Sequence, residues 1–282
     1  MLETPQDVLN EYEKRPRALT PAFVAALPWG EIRKHPLDGR FFPILRYMRD
    51  IERFTEVYFE ELRRTPTGKE PAIRRFMERW NQEEAQHGDL LQRFLAEAGC
   101  PDEPDWPTRA RAAIPLRYRV ESRLTTSLTR LFGKHFSPTH MVWGAINELS
   151  TLQGYRRLIE LAGHPVLTGL LRGILQEESI HVFFYFNIAR LQLERSRFDQ
   201  RLARFVIRHY WAPVGTGIKP AQDTELVVQT LFGDEAGRKA MEDHVTARLE
   251  NLPGFTGVKT VTDKINKYIQ LVNIGNADVL PS

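Results

Sequence analysis

Two Glu-x-x-His sequences, Glu84 to His87 and Glu178 to His181, are the strongest constraint on the fold of this chain of 282 residues. Residues three apart in a helix project from the same face, so each pair can direct a carboxylate and an imidazole to one point. Both pairs lie on the apolar stripe of a long helical pattern, where an uncompensated buried charge costs several kcal/mol. A fold that buries both pairs therefore needs a partner that balances their charge.

Four long helical patterns occupy the middle of the chain and are separated by Gly and Pro turns. Their apolar positions recur at helical spacing, and no strand pattern competes with them. The predicted helices span about residues 40–63, 71–98, 139–162 and 165–193. Two helical hairpins joined by a long crossover, residues 101–138, indicate an all-α fold, a ferritin-like four-helix bundle with additional cladding helices.

The sequence predicts a single domain over residues 1–282, because its apolar content of 42% is enough for a large core. Residues 1–39 are proline-rich and are interpreted as an N-terminal arm over the main body, and residues 40–193 as the four-helix core. Residues 194–282 give a weaker signal. It favours cladding helices near 198–210 and 234–250, followed by a loop-rich tail.

Composition excludes several classes of protein. Cys100 is the only cysteine, which rules out a disulfide framework and thiolate-rich zinc or iron–sulfur sites. The uncharged apolar runs are much shorter than the roughly 20 residues that span a bilayer, and the acidic start lacks a signal-peptide pattern. We therefore expect a cytoplasmic protein without a membrane span. A net charge of +3 is too small to indicate a nucleic-acid ligand.

Each of the four long helices carries a carboxylate on its apolar stripe, in the order Glu, Glu-x-x-His, Glu, Glu-x-x-His. The predicted metal ligands are Glu52, Glu84, His87, Glu148, Glu178 and His181. Four carboxylates neutralise two divalent ions, two of them can bridge, and each imidazole can cap one ion. The oxygen-rich ligand set favours two iron ions over zinc, with a mixed manganese–iron pair as the variant left open.

Glu83 and Glu177 each precede a predicted ligand and lie off the apolar stripe, where they can accept hydrogen bonds from the histidines. The alternative is that all these residues are ordinary surface positions, because Glu is a strong helix former and one Glu-x-x-His has little specificity. Six such residues in this order on core stripes favour the metal site.

A resemblance to a known family narrows the function. The string W-N-Q-E-E-A-Q-H-G-D-L-L from Trp80 to Leu91, the E-x-x-T of Glu148 and Thr151, and the acidic pair before Ser179-Ile180-His181 resemble the soluble acyl-acyl-carrier-protein desaturases. The resemblance covers about residues 45–190. It implies a homodimeric di-iron enzyme that takes electrons from a ferredoxin-type donor and uses dioxygen to insert a double bond into a fatty acyl chain on acyl carrier protein.

The resemblance also implies roles for residues around the metals. Thr151 matches a threonine beside the oxygen site, where its hydroxyl can relay protons, and Trp80 belongs to the surroundings of the ligands. Glu177 stands where the plant enzymes have Asp in a proposed electron route, and Ile180 replaces a basic residue. These departures concern the electron path and the carrier-protein contact and leave the six ligands intact.

Two larger residue sets fit an acyl substrate but have plainer interpretations. An arginine group in the crossover fits an acidic carrier protein or is a solvated face; it comprises Arg109, Arg111, Arg117, Arg119, Arg123 and Arg130. Aromatic residues at helical spacing fit the lining of an acyl channel or are ordinary core; they are Phe54, Phe59, Trp143, Phe183 and Phe184.

Two other functions are compatible with the ligand set. One is a different di-iron oxygenase on the same scaffold, such as an arylamine N-oxygenase, a tRNA-modifying hydroxylase or a ligand-binding oxidase. The other is a non-enzymatic iron-binding or storage protein, which needs no substrate tunnel. The sequence does not separate desaturation from hydroxylation, because both begin with removal of hydrogen from an unactivated carbon.

Overall fold

The computed structural model describes residues 2–102 and 104–277, without the side chains of residues 121–126, 128 and 271–277. Across these residues the chain forms helices and turns, with one isolated bridge between Thr216 and Lys219 and no β-strand. The all-α prediction is confirmed for this part of the chain. No helix within it combines the length and hydrophobicity needed to cross a membrane.

The helices follow one another with short connections. In chain order they are α1 (Pro5–Lys14), α2 (Pro21–Ala26), α3 (Phe41–Leu62), α4 (Pro71–Glu97), α5 (Trp106–Ala112), α6 (Leu116–Phe132), α7 (Ser137–Ala162), α8 (Pro165–Glu194), α9 (Arg197–Tyr210), α10 (Ala221–Phe232), α11 (Glu235–Met241), α12 (Ala247–Leu249) and α13 (Thr260–Ala277). Short 3-10 turns cover Trp29–Lys34, Thr67–Lys69 and Gly133–Phe136, and a π-helical turn, Glu242–Thr246, links α11 to α12.

The turn between α7 and α8 shows how local sequence sets the helix ends. Gly163 ends α7 in the left-handed region at φ +59°, a conformation that glycine adopts without strain. His164 then caps α8 by accepting a hydrogen bond from the backbone N–H of Leu167, and Pro165 occupies the first helical position, where no N–H is needed. This two-residue turn makes α7 and α8 antiparallel neighbours.

The four long helices pack as two pairs. α3 lies along α4 and α7 lies along α8, and the pairs meet where α4 contacts α8. α1 packs against α4 and α8, whereas α9, α10 and α11 pack against α7. Buried apolar side chains form one cluster from Val8 to Ile269, so the N-terminal and C-terminal segments share the core of the long helices.

Two predictions for individual segments are wrong. The loop-rich tail contains α13, whose Val261, Ile265 and Ile269 are buried on one helix face. Their apolar stripe is short and interrupted by polar residues, so the sequence does not predict the helix from its periodicity. Arg49 lies off the apolar stripe of the first long helix, which predicts a side chain away from the core. It is nevertheless buried, because it forms ion pairs with Asp50 and Asp102 and stacks on Trp106. The pairing offsets the cost of burying its charge.

The crossover keeps its basic residues at the surface. The exposed arginines are Arg109, Arg111, Arg117, Arg119 and Arg130. The side chain of Arg123 lies outside the described residues. Leu116 and Leu131, on the same helix α6, are also exposed, at 74% and 79%. The crossover therefore presents a surface that is both basic and apolar.

Gly144 marks the closest approach of α7 to α8, since a Cβ there would overlap the ring of Tyr185. We expect Gly144→Ala to lower the free energy of unfolding by about 1–3 kcal/mol, because a buried ring in a close-packed core cannot move away cheaply. Gly154→Ala on the same helix is the control: its Cβ would meet the flexible end of Met48 at 3.1 Å, and its other neighbours, Leu231 and Phe232, lie at ordinary van der Waals distances of 3.8 and 4.0 Å. Urea unfolding measures both, and equal losses would contradict the close approach.

Candidate metal centre

Helices α3, α4, α7 and α8 bring all six predicted ligands into one buried cluster. Their exposed fractions are 3% for Glu52, 3% for Glu84, 0% for His87, 6% for Glu148, 0% for Glu178 and 0% for His181. Each helix supplies its residues from a buried face. The structure thus places four carboxyl groups and two imidazoles out of contact with water.

The cluster divides into two overlapping groups that could each hold a metal ion. One consists of Glu52, Glu84, His87 and Glu178, and the other of Glu84, Glu148, Glu178 and His181. Within each group the candidate ligand atoms lie within 4.8 Å of one another. Glu84 and Glu178 belong to both groups, so each group has one histidine and one carboxylate of its own and shares two carboxylates.

The Nδ1 atoms of the two histidines face the carboxylates. His87 Nδ1 lies 3.1 Å from Glu178 Oε1 and 3.7 Å from Glu52 Oε2. His181 Nδ1 lies 3.0 Å from Glu84 Oε1 and 3.8 Å from Glu148 Oε2. Each imidazole therefore directs one nitrogen at the carboxylates of its own group.

Several of these buried atoms have no hydrogen-bond partner among the described residues. They are Glu84 Oε1, His87 Nδ1, both carboxylate oxygens of Glu178, and His181 Nδ1. An unsatisfied buried polar atom costs about 1–3 kcal/mol, and more when it is charged, so such a concentration calls for a missing partner. A divalent cation bound by oxygen and imidazole ligands satisfies all of them together, and the donor set therefore fits a metal ion.

The electrostatics of the cluster show the same lack of positive charge. Burial raises the pKa of Glu84 and Glu148 well above the usual range, and the charge of Glu178 raises both further. Burial by itself lowers the pKa of an imidazole. Hydrogen bonds to carboxylates outweigh it here, raising the pKa of His181 to about 9 and that of His87 well above its ordinary value. Without a cation, protons bound to these side chains balance part of the negative charge of the cluster.

The outer nitrogens of the histidines are held by Glu83 and Glu177, and the pairing crosses between helices. His87 Nε2, on α4, hydrogen-bonds Glu177 Oε2, on α8, at 3.1 Å. His181 Nε2, on α8, hydrogen-bonds Glu83 Oε2, on α4, at 2.9 Å. A carboxylate can only accept, so each Nε2 donates a proton to its carboxylate, and each Nδ1 can bind a metal once it gives up its own proton. Glu83 and Glu177 thus lie where the sequence predicted, outside the ligands and against the histidines.

Trp80 and Tyr155 hold the carboxylates that are not shared. Trp80 Nε1, on α4, donates a hydrogen bond to Glu148 Oε1 at 3.0 Å, and the Tyr155 hydroxyl, on α7, donates to Glu52 Oε1. Sequence reasoning included Trp80 among the surroundings of the site but did not assign Tyr155 to it. Its position seven residues after Glu148, on the same stripe, was the signal that it faces the cluster.

No protein-family model and no curated protein matches this chain. The site is therefore defined by the geometry of the chain's own residues.

Two residues around the site, Tyr12 and Arg17 of the N-terminal arm, were missed by the sequence analysis, although both contact Glu83. Nothing in the spacing of the arm could have assigned them, because the contacts join segments far apart in the sequence.

The glycine and aspartate that follow His87 join α4 to α3. A Cβ on Gly88 would lie 2.8 Å from Arg53 Cγ and 3.2 Å from the Arg49 carbonyl oxygen, so a side chain there would push the two helices apart. Asp89 pairs with Arg53 at 3.6 Å at the surface. The H-G-D part of the string therefore holds the helix that carries Glu52 against the helix that carries Glu84.

Thr151 and the predicted channel residues have less direct relations to the cluster. Thr151 is partly buried on α7, and its hydroxyl makes no hydrogen bond to any residue the structure describes. Phe184 stacks on Phe76 at 3.8 Å between ring centroids, and Arg15 covers the ring of Phe183. Phe184 thus packs as ordinary core.

Metal binding should strengthen as pH rises. The pKa values of Glu84, Glu148, His87 and His181 are raised, so these groups hold protons near neutral pH that a divalent ion must displace. We expect the affinity for Co²⁺ to increase about tenfold per pH unit for each proton displaced, from about pH 6 to about pH 8. Isothermal titration calorimetry in buffers of different ionisation enthalpy counts the protons released. An affinity independent of pH would contradict binding at this cluster.

Proposed function

We propose that this protein is a di-iron, dioxygen-dependent oxidoreductase that acts on a fatty acyl chain carried by acyl carrier protein, most simply by desaturation. In this proposal the long helices form a ferritin-like bundle, and the enzyme is a cytoplasmic homodimer that takes electrons from a ferredoxin-type donor. The metal centre is supported by geometry, whereas the substrate is supported by the resemblance of the Trp80–Leu91 string. The two parts are therefore tested separately.

The observation that carries the metal centre is the concentration of unsatisfied, buried ligand atoms in two overlapping groups. Glu52 and His87 would hold one iron, Glu148 and His181 would hold the other, and Glu84 and Glu178 belong to both groups. Such a set of four carboxylates and two imidazoles balances two divalent ions in charge.

When bound, iron would supply the redox chemistry that activates dioxygen and oxidises an unactivated C–H bond. The chain's own residues would fix the ligands and keep water away. Trp80 and Tyr155 hold Glu148 and Glu52 by hydrogen bonds, and Glu83 and Glu177 fix the orientation and protonation of the two imidazoles. The near-complete burial of the cluster limits side reactions with bulk water.

The substrate assignment has support from the surface as well as from the resemblance. The exposed arginines of the crossover form a basic face, which suits the acidic surface of a carrier protein. Thr151 is proposed to relay protons beside the oxygen site, as the resemblance implies. Hydroxylation instead of desaturation would use the same centre and differ only in the fate of the carbon after the first hydrogen is removed.

A single-turnover reaction tests the proposal. Iron-loaded protein, reduced without oxygen, is mixed with acyl carrier proteins bearing chains of different length and then exposed to oxygen. We expect oxygen consumption and an acyl product two mass units lighter, detected by mass spectrometry. Protein that binds no iron would overturn the whole proposal. Bound iron with hydroxylated or unchanged acyl chains would overturn the desaturase assignment and favour another di-iron oxygenase or an iron-binding protein.

A substitution at Thr151 tests its proposed role. Thr151→Val should leave the iron content unchanged and lower the single-turnover rate about tenfold or more, because the hydroxyl is lost while the shape is kept. Thr151→Ser keeps the hydroxyl and should retain most of the rate. Ser150→Ala is the neighbouring control, since the Ser150 hydroxyl only donates to the Ile146 carbonyl oxygen of its own helix. Equal rates for the Val and Ser variants would exclude proton relay by Thr151.

A further inference from the structure

The two outer carboxylates, Glu83 and Glu177, have very different surroundings. Glu83 Oε1 accepts hydrogen bonds from Arg17 Nε at 2.6 Å and Arg79 Nε at 2.8 Å. Its Oε2 accepts from the Tyr12 hydroxyl at 2.8 Å, in addition to His181 Nε2. Two guanidinium groups and a phenol therefore share the charge of this one carboxylate.

Glu177 has no such cation among the residues that the structure describes. Its Oε1 accepts a hydrogen bond from the backbone N–H of Leu19 at 2.9 Å, and its Oε2 accepts from His87 Nε2. Within the described part of the chain, His87 is the only basic side chain in ion-pair contact with Glu177. The negative charge of Glu177 is thus left to act mainly on His87.

Arg79 lies on α4, and the rest of the difference originates in the N-terminal arm. Tyr12 lies in α1, and Arg17 and Leu19 lie in the segment between α1 and α2, so one short stretch contacts both outer carboxylates. The Gln86 side chain fastens the stretch to α4 by donating to the Leu19 carbonyl oxygen at 2.8 Å. Over Glu83 the arm supplies a charged side chain, and over Glu177 it supplies only a backbone amide.

A carboxylate that accepts a hydrogen bond from a metal-binding imidazole makes that imidazole a stronger donor to the metal. The effect weakens when other cations already share the carboxylate charge, because less of it polarises the imidazole N–H bond. We infer that the two metal positions are electronically inequivalent. The arm leaves the imidazole of His87 a strong donor to its metal ion. Through Arg17 and Tyr12 it makes the imidazole of His181 a weaker donor to the other metal ion. The inference rests on the proposed di-metal centre.

The test compares two matched substitutions in the full-length protein, titrated with Co²⁺ alone in the metal-free state. Glu177→Gln removes the unshared charge and should weaken one of two Co²⁺ binding steps about tenfold or more. Glu83→Gln removes a charge that two arginines already balance and should weaken binding by no more than about threefold. Equal losses, or a larger loss for Glu83→Gln, would overturn the inequivalence and leave the metal centre standing.

A double-mutant cycle ties the difference to the arm. In an Arg17→Gln background, the loss caused by Glu83→Gln should grow towards the loss caused by Glu177→Gln, because Glu83 then has one cation fewer. Arg15→Gln is the control: Arg15 lies on the same arm, but its guanidinium stacks over Phe183 at 3.7 Å. An unchanged loss in the Arg17→Gln background would overturn the role of the arm.

A spectroscopic measurement covers the case in which Glu83→Gln or Glu177→Gln does not fold. The Co²⁺-loaded parent protein should give two distinct shifted N–H proton signals in the NMR spectrum, one for each imidazole. Arg17→Gln should move only one of them. Movement of both signals or of neither would overturn the inference. Protein that binds no Co²⁺ would overturn both this inference and the proposed centre, whereas inequivalent Co²⁺ binding without acyl oxidation would overturn the desaturase assignment alone.

Discussion

The charge of four carboxyl groups enclosed in an apolar core is the constraint on which the rest of the structure depends. Removing one ionised carboxylate from water costs several kcal/mol, and like charges at this range repel one another strongly in a medium of low dielectric. Glu52, Glu84, Glu148 and Glu178 could not share one core without positive charge or protons to balance them. The raised pKa values of Glu84 and Glu148 correspond to balance by protons, and a pair of metal ions would supply the positive charge instead.

The residues around the cluster serve this constraint. The crossed hydrogen bonds from His87 to Glu177 and from His181 to Glu83 tie α4 and α8 together at the level of the site. Trp80 joins α4 to α7, and Tyr155 joins α7 to α3. Because these bonds bridge different helices, the packing of the four helices and the positions of the ligands are set by the same contacts. A shift of one helix would disturb several ligands at once.

The N-terminal arm extends the same network to the surface. Its Tyr12 and Arg17 contact Glu83, and its Leu19 N–H contacts Glu177, so the arm belongs to the site although it carries no ligand. An arm that only covered the bundle would need apolar contacts alone. The polar contacts place charge and hydrogen-bond donors behind each imidazole, where they affect metal binding without touching the metal.

The sequence by itself determined the four long helices and the six residues of the cluster. Helical periodicity is local, so a stripe such as the one bearing Glu84 and His87 can be read without knowledge of the fold. The tail helix α13 was not predicted because its stripe is short. The burial of Arg49 was not predicted because its contacts with Asp102 and Trp106 join segments that are far apart in the sequence.

Only the tertiary structure decided how the parts pair. Glu83 precedes His87 by one helical turn, yet it bonds His181 on another helix. The reason is that His87 turns Nδ1 towards the cluster and therefore presents Nε2 to the opposite helix. Such pairings, like the contacts of Arg17 and Tyr12, depend on distances between segments that are remote in sequence. Local patterns of hydrophobicity carry no information about those distances.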